Sequence, residues 1–151
     1  MPMQDILDRL SPLVGTEVGV SDWFTVGQDR IDTFADATED HQWIHVDAER
    51  AAQGPFGTTI AHGFLTLSLL VTLTRDVEID VGQPKAALNY GLDRVRFTAP
   101  VPSGSRIRAR VELTSVDEVK GGLQVKRTIT VEREGEERPA MIAETLSRYL
   151  Y

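Results

Sequence analysis

Cysteine is absent from the 151 residues, which excludes disulfides, thiolate metal sites and cysteine nucleophiles together and fits a reducing cytoplasm. Basic residues are scarce as well. Sixteen Lys plus Arg stand against 23 Asp plus Glu, and a net charge of −7 offers no electrostatic footprint for a polyanion, so nucleic acid is not an expected partner. There is no tract rich in Pro, Gly or Ser, no low-complexity segment and no internal repeat, so residues 1–151 are read as a single domain. Long hydrophobic runs are also missing. The most apolar stretch, FLTLSLLVTL (64–73), has seven apolar residues in ten. At about 1.5 Å per residue it covers only about half of a roughly 30 Å hydrocarbon core, so it is expected to be a buried helix and no membrane partner is expected. The opening MPMQDILDRL carries acids where a secretory signal carries bases, which again points to the cytoplasm. No serine lies in a GxSxG, which sets aside a nucleophilic hydrolase of that type.

What remains is an ordinary globular composition, 41% hydrophobic and 26% charged, in a chain long enough for one core. Before residue 80 the signals are helical. Thr25 and Gln28 have the spacing of a capping box, and Ile31, Phe34 and Ala35 then share a face. Asp47 is placed to cap a short helix through AERAA, and the apolar helix should begin near residues 61–63, with no breaker in its interior. After residue 80 the period is two: Ile107, Ala109, Val111 and Leu113 alternate with Arg108, Arg110 and Glu112. Turns are expected at Lys120 to Gly122 and at Gly135. An early strand in EVGVSDWFTV and another from KAALNYG to VRFT bring the total to five or six strands in an antiparallel meander. An apolar helix must be covered by such a sheet, so an α+β fold is expected.

The chemistry is concentrated. His41, His45 and His62 fall within 22 residues, interleaved with Asp36, Glu39, Asp40 and Asp47. By spacing alone the cluster fits three descriptions. It can be a solvated loop with capping acids. It can be a metal site, with His41 and His45 four apart and His62 as a third ligand, although Trp43, Ile44 and Val46 favour extended structure and no HExxH is present. It can also be an acid/base pair, in which Asp40 and His45 orient one water and move its proton while the N–H of Gly63, at a helix start, faces a developing oxyanion.

FADATEDHQWIHVDAERA (34–51) resembles the hydratase motif of the MaoC-like dehydratases, in which an aspartate and a histidine five positions later form the catalytic pair. GPFGTTIAHGFLTLSLL (54–70) resembles the start of that family's helix, and LDRVRFTAPVPSGSRIRARVEL (92–113) its following strand pair, with Pro100 and Gly104 in the turn. The resemblance spans nearly the whole chain. It implies a single hotdog domain, an antiparallel sheet wrapped around a long apolar central helix, usually in a homodimer. It implies an R-specific enoyl-CoA hydratase without cofactor or metal, acting on an acyl-CoA or acyl-carrier-protein thioester. Asp40 and His45 then activate water and protonate C2, the amide of Gly63 holds the thioester carbonyl, and the acyl chain lies along the helix. The family's common pattern GDxNPxH is altered by Glu39, Gln42 and Trp43, and this variant loop is most similar to the nodulation protein N branch.

Other residues carry two readings each. His62 serves the substrate side of the site or is a hydrogen-bonded packing residue, and Asn89 orients the site or satisfies a loop. Trp23, Phe24 and Trp43 belong to the core or to a dimer interface. Arg94, Arg96, Arg106, Arg108 and Arg110 form a stripe that meets CoA phosphates or an ordinary exposed strand face. Two further functions share the fold: an acyl-CoA thioesterase, and a non-catalytic binder of acyl thioesters.

Overall fold

A computed structural model describes residues 2–151. Six strands form one antiparallel sheet: β1 Thr16–Val20, β2 Phe24–Val26, β3 Ala86–Arg96, β4 Ser105–Val119, β5 Gly122–Arg133 and β6 Met141–Leu150. Their order is β1-β4-β5-β6-β3, and β2 also pairs with β4. The expected early strand is thus broken in two. At the break the Ser21 N–H donates to the Ala109 carbonyl, while Ser21 Oγ accepts from the Ala109 N–H, both at 2.8 Å, so the side chain keeps the chain on the sheet edge. The expected turns carry glycines with left-handed backbone, Gly121 at φ 78° and Gly135 at φ 83°.

Among the described residues six α-helices accompany the sheet: α1 Met3–Leu10, α2 Gln28–Thr38, α3 Trp43–Val46, α4 Ala48–Ala52, α5 Gly63–Ser68 and α6 Leu70–Leu73. In α1, which the sequence reading did not foresee, Ile6 and Leu10 are four apart and both buried. They close a small cluster with Leu113, Leu123 and Val125. Helix α2 buries Ile31 and Ala35 as its periodicity requires, but Gly27 is its N-cap. Thr25 lies on β2 opposite Arg106, so the expected capping box does not form. Trp43 to Val46, expected extended, make one helical turn, held from outside by the Ile60 N–H donating to the Ile44 carbonyl at 3.0 Å.

The expected long central helix is two short ones with a turn at Leu69. Bonds from the Leu69 N–H to the Leu65 carbonyl and from the Leu73 N–H to the Leu69 carbonyl, each 2.9 Å, carry the helical path across it. Leu65, Leu69, Leu70 and Leu73 are buried in the main core with Ile107, Ala109 and Val111 of β4, Ile129 and Val131 of β5, and Met141 and Ala143 of β6. Burying each such aliphatic side chain contributes about 1.5–3 kcal/mol, which explains why period-two strands gather on this helix. The sheet covers one side only. Phe64 and Val71, on the other side, stay 69% and 61% exposed. On the outer sheet face the arginine stripe is largely paired, Arg106 with Glu134 at 2.9 Å, Arg108 with Glu132 at 2.7 Å and Arg110 with Glu17 at 3.0 Å. No helix among the described residues is long and apolar enough to cross a membrane.

Asp47 caps α4 as expected, its Oδ1 accepting from the Arg50 N–H at 3.0 Å. Asp47→Ala should therefore cost about 1 kcal/mol in a urea titration; an unchanged midpoint would mean that the turn is held by its tertiary contacts alone.

Candidate functional site

Helix α2 ends at Glu39, whose φ of 61° and ψ of 23° are left-handed, the one such non-glycine residue among those described. That conformation costs an L-residue roughly 1–2 kcal/mol and reverses the chain sharply. Asp40 follows directly. Its Oδ1 accepts from the Gln42 N–H at 3.4 Å, its backbone carbonyl accepts from His62 Nε2 at 2.9 Å, and its carboxylate remains half exposed.

His45, in α3, is buried. Its Nδ1 lies 2.7 Å from the Ile60 carbonyl, and because a carbonyl can only accept, Nδ1 carries the proton. In the neutral ring Nε2 then presents a lone pair. Burial lowers the His45 pKa, and the neighbouring His62 acts in the same direction; the Ile60 bond and the Asp40 charge oppose this without cancelling it. His45 is therefore a neutral acceptor near pH 7. Gln28 secures its backbone: Nε2 donates to the His45 carbonyl at 2.7 Å, while Oε1 accepts from the Thr59 hydroxyl at 2.6 Å. A glutamine at the start of a helix carries no sequence signal for this bridging role.

The His62 ring stacks on that of His45, with centroids 3.8 Å apart and planes 22° from parallel, and leans on Phe34 at 4.9 Å. Its Nδ1 is buried and has no partner among the described residues. Next comes Gly63, the first residue of α5, whose N–H has no acceptor within its own helix. A Cβ there would stand 3.1 Å from the Phe97 ring, so any larger residue presses on the pocket wall. Asp40, His45, His62 and Gly63 line one cleft of about 430 Å³ with Phe34, Phe64 and Phe97 among its apolar walls. Asn89 is not there. It lies exposed on β3, beside a different cavity. His41 also stands apart, with Nε2 2.8 Å from Asp36 in a solvent-exposed pair.

The metal reading changes its members. Donor atoms of Asp40, His45 and His62 lie within 4.8 Å of one another, the one such group among the described residues. Each imidazole already donates to a backbone carbonyl, which leaves one nitrogen of each ring as an acceptor.

Comparison with known proteins identifies the family. The MaoC like domain matches residues 9–135. The chain is 54% identical over 142 residues, 93% of each sequence, to 3-hydroxyacyl-thioester dehydratase Z of Mycobacterium tuberculosis. It is 52% identical over 133 residues to nodulation protein N of Rhizobium leguminosarum bv. viciae, covering 86% of this chain and 82% of that one. Among solved structures it resembles the (R)-hydratase from A. caviae involved in PHA biosynthesis, with a TM-score of 0.70, 26% identity, and coverage of 89% and 98% of the two chains. The chain belongs to the MaoC-like dehydratases, a family of hotdog-fold hydro-lyases.

Proposed function

We propose that the protein is an R-specific enoyl-thioester hydratase, reversibly adding water to a 2-enoyl-CoA or the matching acyl-carrier-protein ester to give the R-3-hydroxyacyl thioester. The observation that carries this is the neutral His45, its Nδ1 committed to Ile60, beside the Asp40 carboxylate in the cleft that Gly63 also lines. A water between Asp40 and His45 Nε2 donates to both. The water oxygen bonds to C3, the C2–C3 π pair moves onto the thioester as an enolate, and the Gly63 N–H donates to the thioester carbonyl oxygen. The acid/base pair takes one proton from the water and delivers one to C2, so the elements of water are added without a cofactor. The 54% identity to a named thioester dehydratase and the likeness to an (R)-hydratase support the substrate class and the R face. A cytoplasmic setting suits a chain without cysteine.

A second copy completes the molecule in this reading. Strand β3 is an edge of the sheet, and Leu88, Tyr90 and Leu92 on it are large and exposed, as are Phe64 and Val71 on the helix. A row of unpaired backbone groups beside apolar side chains is a template for pairing, and a homodimer that joins two sheets covers both. Leu92→Glu should shift the protein to monomer in sedimentation; a monomeric wild type would remove the dimer.

The decisive assay follows loss of the conjugated enoyl absorbance with short and medium 2-enoyl-CoA esters, with the product resolved for chirality. Asp40→Asn should lower the rate about a hundredfold to ten-thousandfold in a protein that still folds. An undamaged rate would sink the mechanism, and free thiol released from a saturated acyl-CoA would point to a thioesterase instead.

The depressed His45 pKa sets two pH dependences. The acid limb of kcat/KM should lie below the ordinary histidine value of 6.5, because activity is lost only when His45 takes up a proton in the folded state. Stability follows the same sign. Below 6.5 the unfolded chain binds this proton before the native one does, so the contribution of His45 is full above that pH and declines as pH falls towards the native value. His45→Gln should flatten that part of a denaturation-versus-pH curve, and an acid limb above 6.5 would contradict the assignment.

A further inference from the structure

The inward positions of β5 read Leu123, Val125, Arg127, Ile129 and Val131, and all but Arg127 are buried apolar residues. Opposite Arg127 on β6 is Thr145; the next inward residue of β6, Ser147, stands opposite Asn89 on β3. A polar band therefore crosses the inner face of the sheet. The two apolar clusters stop on either side of it: Ile129, Val131 and Ala143 belong to one, Leu113, Leu123 and Val125 to the other. Interior polar groups cost free energy unless something pairs with them. Arg127 Nη2 donates to the Tyr149 hydroxyl at 3.0 Å, but its Nε is sealed from solvent and meets no acceptor among the described residues.

This guanidinium borders a cavity of about 320 Å³ between the sheet and the central helix, lined also by Asn89, Thr145, Ser147, Leu67 and Val71; Arg127 is the single charged residue in its wall. On its other side Arg127 borders a hollow containing Glu78 and Asp80. Asp80 is engaged by Arg9 at 3.3 Å, and neither acid forms an ion pair with Arg127. The cavity and the catalytic cleft share one stripe of helix. Phe64 bounds the cleft, and Leu67, Ser68 and Val71, three, four and seven residues later, bound the cavity. From Gly63 to Leu70 the helical path rises about 10 Å. A rise of about 10 Å is within reach of a medium-length acyl chain held at its carbonyl by Gly63.

We infer that this cavity takes the far end of the acyl chain and is built for a carboxylate there, so that the substrates include enoyl thioesters of dicarboxylic acids. The inference rests on the hydratase reading and names its substrate class. An ω-carboxylate accepts from the Arg127 guanidinium and from the hydroxyls of Thr145 and Ser147, and it neutralises a fixed charge. A methyl terminus leaves the guanidinium with its bond to the Tyr149 hydroxyl and no anionic partner.

The test compares trans-2-octenoyl-CoA with its ω-carboxyl counterpart of equal length, using wild type, Arg127→Met and Thr145→Val. Wild type should prefer the carboxyl-ended ester by about ten- to a hundredfold in kcat/KM, the range that hydrogen bonds to charged groups supply. Arg127→Met should abolish that ratio and Thr145→Val reduce it. A wild-type preference for the methyl-ended ester, or a ratio unchanged by Arg127→Met, overturns the inference and leaves the hydratase intact. The wild-type ratio decides the matter even where a variant does not fold. If neither ester is hydrated, it is the hydratase reading that fails. Calorimetric binding of the same two esters then tests the cavity alone, tighter binding of the carboxyl-ended one supporting it and equal binding overturning it.

Discussion

The site depends on one hydrogen bond, from His45 Nδ1 to the carbonyl of Ile60. It spends the one proton of a neutral imidazole on the backbone and so decides which nitrogen is basic. It also ties the single turn of α3 to the segment that leads into α5, which brings His45 and Gly63 to the same cleft. His62 makes the reciprocal connection, from the start of α5 back to the Asp40 carbonyl. The two rings stack between these bonds, so neither can swing without disturbing the other. Such mutual locking gives the positional precision that acid/base chemistry needs and that a four-residue helix could not supply alone.

Where the sequence was legible, a short-range physical rule was at work. The alternation of Ile107 to Leu113 reported β4 because one face of that strand is buried, and Asp47 reported its cap because capping is local. The central helix was legible in its apolar content but not in its turn at Leu69, since no glycine or proline marks the place. Trp43 to Val46 were misread because their β propensity is overridden by bonds to Ile60, which no window of neighbours contains. Asp40, His45 and Gly63 stand out in the sequence as a carboxylate, an imidazole and a helix start, and the family resemblance assigns them roles. Spacing alone left the metal description open, and the burial and stacking of the two imidazoles arise from long-range packing that no spacing reports.

Stability and function share the inner face of the sheet unequally. At the β1 side the helix and strands form a continuous apolar core, whereas towards β3 the inward row changes to Arg127, Thr145, Ser147 and Asn89. A domain selected only for stability would fill those positions with apolar side chains, since desolvating an unpaired guanidinium is unfavourable. The exposed edge of β3 is the same kind of concession, tolerable where a partner surface covers it.

The altered loop obeys the same logic. In the pattern GDxNPxH, glycine allows a left-handed turn and proline stiffens the approach to the histidine. Here Glu39 stands at the glycine position and is itself left-handed, so the backbone reverses before Asp40 at a steric cost. Trp43 stands where proline would, and its indole packs so closely over Gly54 that a Cβ there would lie 2.8 Å from the ring. The Arg50 guanidinium lies 4.5 Å from the indole centroid on α4. Proline restrains one backbone angle; this tryptophan pins the loop to its neighbours by area and by a cation–π contact. The stiffness of the loop that carries His45 therefore comes from side-chain packing, where the motif's proline would supply it through the backbone.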